Sequence, residues 1–356
     1  MQMLDVPFPT QPADVPWPTT EWCSGSFDDD VDGDAVAAAI TAIGDTPEAE
    51  GVSLALVVVH RGRIVAELYG PATDADTTLI SWSMGKSVTA TILGLLVGDG
   101  LLDIDAPAAV PEFAGTGKAA ITTRHLLAMR SGLEFVEDYV DDAVSHCLEM
   151  LFGSGQHDMA HYAASLPLIH EPGTVWNYSS GTTNILARLA GDIVADGATD
   201  PETRRTAMES FMQTRLFDPI GMTTAAPKFD TAGTFVGSSY LYATARDFGR
   251  FGYLSLRGGQ WDGLQLLPPG WVEYARTQVA VDTEPPYFGY GAQWWIWPTE
   301  RGSLAAHGYE GQYTVVLPDR DLVVVHLGKV PVDVRPPLLD KLRRIIGAFP
   351  AAGATG

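Results

Sequence analysis

Lysine is scarce in this chain, five residues among 356, and acids outnumber bases 44 to 22, a formal charge of −22. A field of that sign repels phosphate backbones and anionic headgroups, so no nucleic-acid partner is expected. Long apolar runs are missing too: an uninterrupted stretch such as residues 54–59 falls far short of the roughly 18 residues that cross a bilayer. No membrane insertion is expected. The first ten residues have no basic start, no apolar core and no small-residue cleavage site, so no secretory signal is read and the expected location is cytoplasmic. The two cysteines, Cys23 and Cys147, have none of the spacing of a zinc or redox pair and read as ordinary thiols. Neither a Gly-x-Gly-x-x-Gly nor a Walker loop occurs, so no cofactor is expected. No serine has glycine at both −2 and +2, which removes the nucleophile elbow of the α/β-hydrolases.

What is present is a chain 46% hydrophobic, enough to bury a core in one large or two moderate domains. Five prolines between Pro7 and Pro18 predict an extended leader over residues 1–20, because proline fixes φ and withholds a donor. Residues 34–43 read as a short amphipathic helix. Branched residues over 52–60 and 64–69 flank Arg61-Gly62-Arg63 and predict a β-hairpin; residues 313–317 and 322–327 around Pro318-Asp319-Arg320-Asp321 predict another, followed by a helix over 336–349. Between them the pattern is helical. Val88, Ile92, Leu95 and Leu96 recur at helical spacing, and residues 122–129, 184–194 and 211–216 give further helices. Thr244 with Asp247 resembles a capping box opening a helix over 245–256. The fold class is therefore α+β: an antiparallel sheet flanked by helices and built from both chain ends, with a mainly helical inserted domain. The expected division is residues 1–75 and 236–356 for the sheet domain and 76–235 for the helical one, with the active site at their junction.

Ser83-Met84-Gly85-Lys86 is an S-x-x-K at the start of one of these helices. Three residues is nearly one turn, so hydroxyl and amine share a face beside the positive end of the helix dipole. A buried amine there can take the hydroxyl proton, and the backbone N–H of Ser83 can help hold the oxyanion that follows. By itself the motif is weak: 17 serines and five lysines at random give at least one S-x-x-K with about one chance in four, and the alternative is a helix cap followed by a solvated lysine. Context strengthens it, since this lysine opens an apolar helix directly after Trp82. Tyr178-Ser179-Ser180-Gly181 follows a Pro172-Gly173 turn that hands the chain to the next helix, where a phenol can be presented to the serine or serve as a half-buried structural tyrosine. Ala306-His307-Gly308-Tyr309 runs into the last hairpin; its glycine either lets a ligand approach the strand backbone or marks a bulge.

These three elements, in this order, resemble the penicillin-recognising serine hydrolases: class C type β-lactamases, DD-peptidases and the esterases and amidases of that fold. The likeness is nearest to the branch typified by 6-aminohexanoate-dimer hydrolase. It is carried by Ser81-Trp82-Ser83-Met84-Gly85-Lys86-Ser87, Arg124-His125-Leu126-Leu127 with Ser131-Gly132-Leu133, Trp176-Asn177-Tyr178-Ser179-Ser180-Gly181, Ala245-Arg246-Asp247-Phe248-Gly249-Arg250-Phe251-Gly252, and Gly289-Tyr290-Gly291 through Trp294-Trp295. The resemblance implies Ser83 as nucleophile, Lys86 as its activating partner and Tyr178 as acid/base, with the N–H groups of Ser83 and Tyr309 as oxyanion hole. Trp82, Ser180, His307 and Gly308 are the accompanying substrate-site candidates. Two positions depart from the family pattern. Ser180 stands where many relatives have Asn, and His307-Gly308 replaces Lys-Thr-Gly, which weakens recognition of a β-lactam carboxylate.

The expected function is a serine hydrolase acting on a small ester or linear amide through an acyl-enzyme on Ser83. A β-lactamase or D-stereospecific carboxypeptidase is one alternative, and a binding or sensor protein that does not turn over is another. Competing motifs read as structural. His157 and His161 lack the metalloprotease glutamate and a third ligand, and the acids from Asp28 to Asp34 lack the terminal glutamate of a calcium loop, so no metal is expected. The run Trp294, Trp295, Trp297 reads as core. Loops 136–156 and 279–287, which shape the pocket, carry no readable code, and the sequence leaves oligomeric state open.

Overall fold

The computed structural model describes residues 6–139 and 145–352. Strands Val52–His60 and Arg63–Tyr69 form the first hairpin, with Arg61 (φ 47°) and Gly62 (φ 78°) both left-handed at its two-residue turn, the geometry that matches the twist of the flanking strands. Strands Gln312–Leu317 and Leu322–Lys329 form the last one. The two hairpins meet where Leu322–Lys329 pairs antiparallel with Val52–His60, Val324 opposite Val58, so the sheet's centre is assembled from both ends of the chain. From edge to edge its nine strands run Cys23–Ser24, Arg63–Tyr69, Val52–His60, Leu322–Lys329, Gln312–Leu317, Leu304–Gly308, Trp295–Ile296, Gly289–Tyr290, Ala280–Val281. Every pair is antiparallel except the first, where the end of the leader adds a parallel edge; the expected antiparallel sheet is mixed by that one pair.

The central strands are buried on both faces, which is why they read as continuous apolar runs rather than alternating ones. Val57, Val59, Val323 and Val325 pack with Phe248 and Phe251 of helix Ala245–Leu256, while Leu56, Val58 and Val324 pack with helices Gly33–Gly44 and Arg335–Gly347. Helix Met84–Gly98 is buried all round from Met84 to Leu96, the behaviour of a helix enclosed in a core. Beside it lies helix Ser180–Val194, longer at its start than the periodicity indicated. The predicted helix over 211–216 is the end of a longer one, Pro201–Met212, that Asp200 caps and a π-helical turn Gln213–Phe217 continues. Helices His146–Phe152 and Met159–Ser165 were not legible at all.

From Val6 to its edge strand the leader carries no helix, but turns at residues 13–15 and 18–20 break the extended run that the prolines predict. Its carbonyls cannot be satisfied by a neighbouring strand, so buried arginines donate to them: Arg276 to Val6, Arg257 to Pro9 and Arg250 to Pro18. The acidic turn is solvated: Asp28, Asp29 and Asp30 are exposed, and Asp28 and Asp30 pair with Arg61 at the surface.

Candidate active site

Ser83 occupies the residue before helix Met84–Gly98, and Lys86 follows one turn later with its Nζ 2.8 Å from Ser83 Oγ. Lys86 is 2% exposed. Its Nζ also lies 2.9 Å from Ser180 Oγ and 3.3 Å from the Ser238 carbonyl, so three oxygens surround one nitrogen. Tyr178 completes the group from the loop just before helix Ser180–Val194: Lys86 Nζ lies 4.8 Å from its ring centroid. The loop that delivers Tyr178 is fixed by Asn177, whose N–H donates to Met129 and whose amide donates to Phe135, and by the Ser179 cap on Thr182. Burial raises the Tyr178 pKa, while the Lys86 charge and hydrogen bonding to Ser83 and Lys86 favour the phenolate. Two helix starts thus converge on one buried amine.

The strand Leu304–Gly308 closes the third side. A Cβ on Gly308 would stand 2.3 Å from the Ser81 carbonyl oxygen, so only glycine lets this strand end reach the backbone just before Ser83. Tyr309 follows immediately. His307 accepts from Trp297 Nε1 at 2.9 Å through Nε2 and stacks on Trp295 at 5.3 Å. Burial, helped by the Arg335 charge, holds its pKa well below 6.5, which favours the neutral ring. Trp295 in turn packs 5.2 Å from Tyr178. Of the tryptophan run, Trp294 and Trp297 are core, 2% and 0% exposed, whereas Trp295 lines the cleft.

That cleft encloses about 1010 Å³ and takes in Ser83, Tyr178, His307, Gly308 and Tyr309. Trp82 does not line it; its indole turns to Glu310. Three cleft residues had no sequence signal beyond their type. Glu137 accepts from Ser180 N at 2.7 Å and Ser180 Oγ at 2.5 Å, so Lys86, Ser180 and Glu137 form a continuous polar chain. Tyr139 also donates to Glu137, at 2.7 Å, and its ring packs on Tyr309. Arg335, at the start of the last helix, has its Nε buried without a partner among the described residues. Outside the cleft, His161 pairs with Glu112 and His157 lies by Thr231, so the two histidines do not converge. Cys23 and Cys147 are both free.

Comparison with known proteins identifies the fold and the family. Over 293 residues the chain is 26% identical to the 6-aminohexanoate-dimer hydrolase of Paenarthrobacter ureafaciens, an alignment covering 78% of this chain and 72% of that one. Among solved structures, a provisionally assigned 6-aminohexanoate-dimer hydrolase from Bacillus anthracis superposes with a TM-score of 0.72 at 22% identity, covering 93% of this chain and 89% of the other. A family VIII carboxylesterase shares the fold with a TM-score of 0.66 at 15% identity, covering 92% and 98%. The family model described as beta-lactamase matches residues 36–344. Because that span takes in both hairpins, both converging helices and every residue gathered around Lys86, the chain belongs to the beta-lactamase family.

Proposed function

We propose that this protein is a serine hydrolase that cleaves carboxylic esters or linear amides through an acyl-enzyme on Ser83. The observation that carries this reading is the 2.8 Å contact of Lys86 Nζ with Ser83 Oγ, with Tyr178 packed on the same nitrogen. Ser83 Oγ attacks the substrate carbonyl and its proton passes to the Lys86–Tyr178 pair. The tetrahedral intermediate, its oxyanion facing the N–H groups of Ser83 and Tyr309, collapses as the bond to the leaving group breaks and Tyr178 returns a proton to the departing oxygen or nitrogen. Water then attacks the acyl ester, gives its proton to the same pair, and Ser83 recovers its hydroxyl hydrogen.

Two features favour linear substrates. The cleft is roomy, about 1010 Å³, with Glu137, Ser83 and Arg335 all in its wall, and neutral His307 stands where relatives that recognise a β-lactam carboxylate have lysine. The hydrolase of Paenarthrobacter ureafaciens is named for a linear amide, which points the same way. A β-lactamase or D-stereospecific carboxypeptidase remains the second reading, favoured by Arg335 in the cleft wall as a cation for a substrate carboxylate. Turnover of p-nitrophenyl acetate, nitrocefin and a D-Ala-D-Ala peptide by wild type and Ser83→Ala separates these readings. The expected result is steady-state ester hydrolysis, lost by about 10³-fold or more in Ser83→Ala; undiminished ester hydrolysis in that variant rejects the scheme, and a single stoichiometric burst in wild type supports a non-turnover sensor instead.

A further inference from the structure

We propose that Trp82 and Glu310 are positioning residues: a clasp that sets the separation between the Ser83 and Tyr309 N–H groups, where the oxyanion forms. The proposal rests on the serine-hydrolase reading above and adds to it the device that holds the two donors in register. Each donor adjoins a left-handed residue that is not glycine. Trp82, with φ 42°, immediately precedes Ser83, and Glu310, with φ 61° and ψ 24°, immediately follows Tyr309. A bulky aromatic side chain rarely occupies that region, and such backbone persists only where its surroundings over-determine it. Here the two strained residues bond to each other: Trp82 Nε1 donates to Glu310 Oε2 at 3.0 Å across 228 positions of sequence. The indole also stands edge-on to the Tyr309 ring at 6.1 Å.

The far side of the Tyr309–Gly311 turn is braced independently. Gln312 Nε2 donates to the carbonyls of Tyr309 at 3.0 Å and Gly328 at 2.7 Å, Val330 N donates to Glu310 O, and His326 Nδ1 donates to Gly311 O at 2.7 Å. The turn is therefore rigid against the sheet, and the clasp links that rigid body to the residue before the nucleophile. Glu310 makes no ion pair among the described residues, and neither it nor Trp82 lines the cleft. A negative charge behind an oxyanion hole works against catalysis, so Glu310 is explained by its oxygen as an acceptor and not by its charge.

The test is steady-state hydrolysis of p-nitrophenyl acetate by Trp82→Phe, Glu310→Ala, Glu310→Gln and the double variant Trp82→Phe/Glu310→Ala, each with its melting temperature and with Ser83→Ala alongside. Trp82→Phe and Glu310→Ala should each lower kcat about 10- to 100-fold, the scale of a misplaced oxyanion donor, with KM within about threefold of wild type. The double variant should be no slower than the slower single one, and Glu310→Gln, which keeps an acceptor oxygen without the charge, should recover most of the rate. Full kcat in both single variants, effects that multiply in the double one, or a Glu310→Gln rate as low as that of Glu310→Ala would overturn the clasp. If Glu310→Ala melts below the assay temperature, Trp82→Phe and Glu310→Gln decide: the first must lose rate and the second must keep it. Activity surviving in Ser83→Ala, or absent from wild type, rejects the serine-hydrolase reading and the clasp with it, whereas loss in Ser83→Ala beside full rates in the clasp variants rejects the clasp alone.

Discussion

Lys86 draws its position from three oxygens on three different segments, and a residue held that way tolerates little change. Arginine at 86 would put a longer planar fork into a space shaped for a compact ammonium, and it cannot exchange protons in the working range. We expect Lys86→Arg to be nearly inactive, and Tyr178→Phe, which keeps the ring against Trp295 and removes the relay hydroxyl, to lose about 10²- to 10⁴-fold in kcat. Ester kinetics with circular dichroism as a folding control checks both; wild-type rates in either would remove that residue from the proton path. Ser83, Lys86 and Tyr178 were legible through the family resemblance that several blocks of sequence carry; helical spacing and a turn before a helix agreed with it but left each residue an ordinary structural alternative. Glu137 was not, since its contact with Ser180 joins positions 43 apart through a loop without periodicity. The Trp82–Glu310 bond was equally hidden, because no local pattern announces a pairing between opposite ends of a chain.

Among the elements, the strand end at Gly308 has least freedom. Its φ of −133° is ordinary extended backbone, so glycine is required there by the 2.3 Å approach of a Cβ to the Ser81 carbonyl oxygen. Gly308→Ala must push the strand away from Ser83 and carry the Tyr309 N–H with it. The expected outcome is at least a tenfold fall in kcat with the fold retained, read from ester kinetics and far-UV circular dichroism; an unchanged kcat would show that the strand end does not set the site. The hairpins on either side of the sheet's centre were predictable from turn residues between branched runs. The two seven-residue helices after the 133–139 stretch were not, because helices that short are held by tertiary burial, of Cys147, Met150 and Ala160 here, more than by propensity.

At the scale of the whole molecule, burial of neutral histidines makes folding sensitive to acid. His60 and His326 are 2% and 0% exposed, and desolvation lowers both pKa values to about 4 from 6.5. Arg61 adds to the effect at His60, and Asp28 and Asp30 oppose it. A base with a depressed folded pKa binds its proton first in the unfolded chain. Its contribution is therefore complete above pH 6.5 and is lost as pH falls toward 4. Buried Asp230, pushed up to about 6, works in the opposite sense, so the comparison of variants is cleaner than the total. Replacing His326 by Gln should flatten the pH dependence of unfolding free energy by about 1.4 kcal/mol per pH unit within that window, the value of one proton. Urea unfolding of wild type and His326→Gln across the window measures it, and identical slopes would contradict the neutral, buried assignment.

The most direct test of the central claim is to mix the protein with p-nitrophenyl acetate, quench with acid during steady state, and locate any acyl group by peptide mass spectrometry. An acetyl group on the Ser83 peptide, absent from Ser83→Ala and formed and lost fast enough to account for turnover, is the predicted result. Steady turnover with no modification of Ser83, or an acyl group carried on another residue at the catalytic rate, would contradict it.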